Sequence, residues 1–167
     1  MATKKKASKK VTEKSAKKVM TKSAKKVTAK NAKKSAGPDM PNLFRINIEV
    51  GNLDQAAQFY GKLFGFEGRK QAGARCYFTC GSVTLQVVDV SSVAKPHPAA
   101  KALYFTVKDL DAVFARAKAL GCLSREDVHG VSSSTISVRP WGERSFYVED
   151  QWKNPLCFVE AGTVYPG

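Results

Sequence analysis

Three polar side chains of different chemistry, Arg45, Asn47 and Glu49, alternate with Ile46, Ile48 and Val50 in the stretch RINIEV. A period of two is that of a half-buried strand. With the apolar set turned to a core, the guanidinium, amide and carboxylate project together from the opposite face. Such a row can anchor an anionic or carbonyl group on Arg45 and orient a small ligand by hydrogen bonds from its neighbours. The same alternation in SVTLQVVDV brings Gln86 forward with Thr84 and Val88, and in ALYFTV it brings Tyr104 forward with Ala102 and Thr106. An alternative use of the row is that Arg45 and Glu49 satisfy each other or lie in a dimer seam, because a buried charge needs a partner.

Further candidates stand alone in the chain. Trp141, beside Gly142, can stack on a planar ligand or plug the end of a sheet. Cys157 can be a nucleophile or an inert core thiol, and no histidine stands at a readable position to activate it. His97, within PHP, and His129, within VHGV, read as loop histidines, since a metal site needs convergent ligands and a second shell. No Ser-His-Asp set, phosphate-binding loop or dinucleotide fingerprint occurs, so no catalytic residue and no cofactor is predicted. Cys76 and Cys80 share a strand face but stand roughly 13 Å apart along it, too far for an unstrained disulfide. Without a CxxC pair, the four cysteines read as buried thiols of a reducing compartment.

The elements that must position these residues come from an internal repeat. Arg45 to Gly65 and Ala102 to Cys122 match at an offset of 57 residues, which sets Val50, Leu53 and Asp54 opposite Val107, Leu110 and Asp111. Each copy predicts a strand and then a helix. Asn52 and Asp109 are the expected N-caps, and Gly65 and Gly121 the expected stops. The inner faces carry Leu53, Ala56, Ala57, Tyr60 and Leu63 in one helix, and Leu110, Val113, Phe114, Ala117 and Leu120 in the other. Short alternating segments follow each helix. The predicted fold class is therefore α+β, a pair of βαβββ modules spanning about 41–94 and 100–163 within one domain, 39–167, of a size that sustains a single core.

Residues 1–38 differ in kind. Of the 28 basic side chains, 14 fall in residues 1–36 with a single acid, Glu13, which leaves that segment at +13 out of a total of +14. An octad recurs as KKVTEKSA, KKVMTKSA and KKVTAKNA. One valine in each cannot build a core, so the composition predicts a disordered tail, of the lysine-rich kind that resembles the arms of linker histones. Its ammonium groups, Lys9, Lys10, Lys17, Lys18, Lys25, Lys26, Lys33 and Lys34 among them, are expected to displace counterions from nucleic acid without reading sequence. No secretory signal precedes Phe44 and no window is long and apolar enough to span a membrane, so a cytoplasmic protein is expected, nucleoid-associated in a bacterium or nuclear in a eukaryote.

LFRINIEVGNLDQAAQFYGKLFGF, the second copy ALYFTVKDLDAVFARAKALG, and above all WGERSFYVEDQWKNPLCFV resemble the vicinal oxygen chelate superfamily, which includes glyoxalase I, bleomycin resistance proteins and extradiol dioxygenases. The resemblance covers about residues 41 to 163 and implies sheets curved around a pocket, commonly in homodimers. It places the usual divalent-metal ligands at Arg45, Gln86, Ala102 and Cys157. That set lacks the His and Glu donors a site needs, so no metal is expected. In the closing turn Lys153 stands where the family pattern has glycine, and must take up a backbone conformation that suits glycine better. The reading is a metal-free member binding an unidentified small molecule between its modules through Arg45, Asn47, Glu49, Gln86, Tyr104, Trp141 and Cys157, with the tail on nucleic acid. Its alternatives are a metal-dependent lyase or dioxygenase and a DNA-bridging structural protein.

Overall fold

The computed structural model describes residues 41–128 and 130–166. The lysines proposed for nucleic-acid contact, and His129, lie outside the described residues. From Arg45 the chain forms the two βαβββ modules that the repeat predicts. The first comprises β1 (Arg45–Val50), α1 (Leu53–Phe64), β2 (Arg69–Gln71), β3 (Arg75–Cys80) and β4 (Val83–Asp89). The second comprises β5 (Leu103–Val107), α2 (Leu110–Leu120), a hairpin of β6 (Asp127–Val128) and β7 (Val131–Ser132), then β8 (Ser137–Val138), β9 (Arg144–Glu149) and β10 (Pro155–Glu160). The hairpin was not legible in DVHGVS, whose pairing strands are two residues each.

The two sheets have equivalent topology. One runs β1-β4-β3-β2 and the other β5-β10-β9-β8, each with a parallel pair at the first strand and antiparallel pairs beyond it. Strands β1 and β5 are consequently both unpaired edges.

Both helices begin and end where the sequence indicates. Asn52 Oδ1 accepts from Gln55 N at 2.9 Å, and Asp109 Oδ1 from Ala112 N at 2.9 Å, each satisfying one orphan amide of the first turn. Gly65 and Gly121 close the helices at φ 82° and 65°, a region glycine occupies without a Cβ clash. The expected inner faces pack inward, with Ala56, Tyr60, Leu63, Leu110, Val113 and Ala117 buried.

The helix-covered faces of both sheets share one core. Ile48, Val50, Phe78 and Val87 from the first sheet and Phe146, Val148, Leu156 and Phe158 from the second belong to a single buried cluster with the helices. Phe64 bridges the modules, its ring centroid 5.5 Å from that of Phe78 and 5.3 Å from that of Phe105. Polar ties reinforce this seam. The Arg116 guanidinium donates to the Leu63 and Phe64 carbonyls at the end of α1, where a cation also complements the helix dipole.

Asp150 is the main polar knot. It accepts from Tyr60 Oη at 2.7 Å and from the amide nitrogens of Trp152 and Asn154 and the Asn154 side chain, each at 2.8 Å. Burial, reinforced by the Asp150 charge, pushes the Tyr60 phenol well above its ordinary range. Asn154 in turn donates to the Glu49 carbonyl, so the β9–β10 turn is sewn to β1. In that turn Lys153 has φ 70°, the glycine-favouring conformation that its place in the motif demands.

Candidate functional site

Because the helix-covered faces meet in the common core, the opposite faces of the two sheets point away from it. These outward faces carry most of the residues singled out from the sequence. On the first sheet the register sets Asn47 beside Gln86 and Gln86 beside Tyr77, with Arg45 beside Thr84 and Glu49 beside Val88. Arg45 and Glu49 do not pair with each other. The Glu49 carboxylate accepts from the backbone amide of His97 at 2.9 Å, while the Arg45 guanidinium packs 5.3 Å from the ring centroid of Tyr77 and 5.2 Å from that of Phe44. Gln86 is buried at the centre of the sheet, whereas Arg45 and Asn47 are exposed.

On the second sheet the equivalent row is Tyr104, Cys157 and Tyr147. The two phenols hydrogen-bond to each other at 3.0 Å. Cys157 is fully buried beneath them. Burial pushes its thiol up to about 11, although hydrogen bonds from Tyr147 and Ser145 act in the other direction, so the nucleophilic thiolate is not the resting form. Tyr147 is likewise raised, by burial first and by its bond to Tyr104 second.

The pocket expected between the modules is organised differently. A cleft of about 920 Å³ does lie there, but its walls are helix-side and edge residues such as Leu43, Phe64, Phe66, Val83 and Phe105. Of the seven residues assigned to one pocket, only Tyr104 lines it. Arg45, Asn47, Glu49 and Gln86 sit on one outward face, Tyr104 and Cys157 on the other. Trp141 lies in the β8–β9 turn and donates to Glu143 Oε2 at 2.7 Å. Strand alternation resolves which side chains share a face; it carries no information about how two sheets are turned against each other.

Two residues of the outward faces escaped sequence reading. Arg69 packs 5.1 Å from the centroid of Tyr77, and Arg139 stands 5.1 Å from that of Tyr147. Arg139 is 2% exposed and donates to Ser145 Oγ at 2.9 Å and to the Ser145 and Val128 carbonyls. No repeat in the sequence marks them, because the arginines are not equivalent positions: Arg69 stands directly opposite Tyr77 in the β2–β3 ladder, whereas Arg139 follows β8 and its amide donates to the Glu143 carbonyl.

Residues 42–158 match the family model described as Glyoxalase/Bleomycin resistance protein/Dioxygenase superfamily. The chain belongs to this superfamily. Solved structures agree on the fold. A glyoxalase/bleomycin resistance protein from Albidiferax ferrireducens T118 is 18% identical with TM-score 0.60, covering 71% of this chain and 98% of that one. Oxidase ChaP-H1 is 20% identical with TM-score 0.63, covering 77% and 100%. A bleomycin resistance determinant encoded on transposon Tn5 is 15% identical with TM-score 0.54, covering 72% and 98%. No curated protein sequence matches significantly.

Superfamily members commonly hold a divalent metal at four strand positions, and the residues present here do not fit one. Arg45 is a permanent cation, Ala102 has no donor atom, Gln86 is a weak ligand, and Cys157 is a buried thiol with its proton held on. Among the described residues no three His, Cys, Asp or Glu side chains converge elsewhere. No helix among them is long and apolar enough to cross a membrane.

Proposed function

We propose that the protein is a metal-independent, small-molecule-binding member of the superfamily that works as a homodimer, with its lysine-rich segment contacting nucleic acid. The observation that carries the binding reading is the side-chain set at the four positions: an arginine, an amide and a protonated thiol can recognise a ligand by hydrogen bonding, but together with an alanine they cannot retain a Lewis acid. The outward orientation of both polar faces supports the dimer. A second copy can set its β5 face against the β1 face of the first, pairing two otherwise open sheet edges and enclosing Arg45, Asn47, Gln86, Tyr104 and Cys157 in one site. The nucleic-acid role rests on the +13 segment and its expected counterion release.

Elemental analysis of the purified protein after soaking with Zn²⁺, Mn²⁺, Fe²⁺ and Ni²⁺ tests the central claim. Less than a tenth of an equivalent retained after gel filtration is the expected result. One tightly held metal per subunit would replace this reading with a metal-dependent lyase or dioxygenase.

A further inference from the structure

The first outward face carries a charge pattern that the second lacks. Phe44, Arg45, Tyr77 and Arg69 form a ladder of alternating rings and guanidinium groups, with successive spacings of 5.2, 5.3 and 5.1 Å. Arg75 adds a third guanidinium on the same face, since its β-ladder partner is Val88 and that of Val88 is Glu49. Among the described residues none of these three arginines pairs with a carboxylate; the four ion pairs involve Lys70, Arg144 and Lys153. Glu49 shares the face, and its carboxylate is engaged by the His97 amide. A guanidinium held over a ring keeps its N–H donors available to an oxyanion, to which it can make two parallel hydrogen bonds.

We propose that this ladder selects the ligand: the site takes a small acid, an aromatic ring bearing a carboxylate, sulfonate or phosphate, with the anion on the N–H groups of Arg45 and Arg69 and the ring beside the ladder, over the amides of Asn47 and Gln86. This rests on the small-molecule reading above and narrows it to one charge class. Cationic ligands are disfavoured by the same three guanidinium groups.

The test uses the full-length chain, labelled with ¹⁵N, and follows the side-chain amides of Asn47 and Gln86, which separates binding on this face from binding to the lysine-rich segment. The probes are naphthalene-2-sulfonate, its neutral analogue naphthalene-2-methanol, and the cationic 2-naphthylmethylammonium. The sulfonate is expected to shift both amides saturably and to bind about tenfold or more tightly than the other two, the worth of one charge-assisted hydrogen bond. Arg69→Gln, an exposed and conservative change, is expected to weaken the sulfonate about tenfold and leave the neutral probe unchanged. Equal binding of all three probes at these amides would overturn the anion selectivity while leaving the face as a ligand site. Unchanged sulfonate affinity in Arg69→Gln would overturn the ladder. If no probe shifts either amide, the small-molecule reading falls with it.

Discussion

Each module packs an arginine against a tyrosine of its outward face, Arg69 from directly opposite Tyr77 in β2 and Arg139 from the turn after β8, and the two pairs serve different ends. In the first module Arg69 and Tyr77 lie open on the outward face, and Arg45 reaches the same ring. In the second module Arg139 is sealed beneath the chain, its donors spent on Ser145 and on the Val128 carbonyl of the inserted hairpin. The hairpin makes the difference. Where chain covers the guanidinium it becomes a scaffold, and where nothing covers it the charge is free to meet a ligand. Duplication preserved the helix-side core, with Val50 and Val107, Leu53 and Leu110 in matching places, while the outer faces diverged to Asn47, Gln86, Tyr77 on one side and Tyr104, Cys157, Tyr147 on the other.

The contrast breaks most directly at the two arginines. Arg139→Met is expected to cost about 3 kcal/mol, because it strands the buried Ser145 hydroxyl and carbonyl and the half-buried Val128 carbonyl, whereas Arg69→Met is expected to stay within about 0.5 kcal/mol. Urea unfolding of both variants measures this, and equal costs would show that the two pairs are not specialised.

The thiols sharpen the comparison at high pH. Cys157 and Cys122 are each pushed up to about 11, mainly by burial. A thiol whose folded pKa is raised keeps its proton in the native state while the unfolded chain releases it from about 8.5 upward, so the stability it contributes is complete below that pH and lost as pH rises toward 11. Unfolding free energy should therefore decline between about pH 8.5 and 11, and Cys157→Ala should flatten part of that decline. In the first module Cys80, half-buried, should be alkylated well before Cys157 in the native protein; simultaneous labelling would contradict the packing described for the second sheet.

The smallest effect is expected at the turns preceding each last strand. Gly81 fills this place in the first module at φ 63°, and Lys153 in the second at φ 70°. Lys153→Gly relieves the strain of a side chain in that region but forfeits an exposed ion pair with Glu149 at 2.7 Å, for a net gain of about 0.5 kcal/mol. A loss of stability on this change would mean that the ion pair outweighs the backbone.

The fold was legible because its signals are local. Strand alternation at Ile46, Ile48 and Val50, the caps Asn52 and Asp109 and the stops Gly65 and Gly121 each act within a few residues, and the structure places every one as the sequence indicates. The awkward backbone at Lys153 was equally readable from its place in a glycine position. The candidate site was legible only by halves. That Asn47 shares a face with Gln86, and Tyr104 with Cys157, follows from the pleat.

The sequence by itself thus determined the duplicated elements apart from the β6–β7 hairpin, the chemistry carried on each sheet face and the misfit to a metal, all of which depend on residue type and near-neighbour geometry. Only the tertiary structure decided that the two polar faces turn outward rather than toward each other, that the cleft between the modules is lined with Phe64, Phe66 and Phe105, and that Arg139 is buried while Arg69 is open. Those outcomes depend on which apolar surfaces find each other over long chain separations. Burial free energy rewards any dry contact in proportion to its area and carries no label in the local sequence saying which partner it will be.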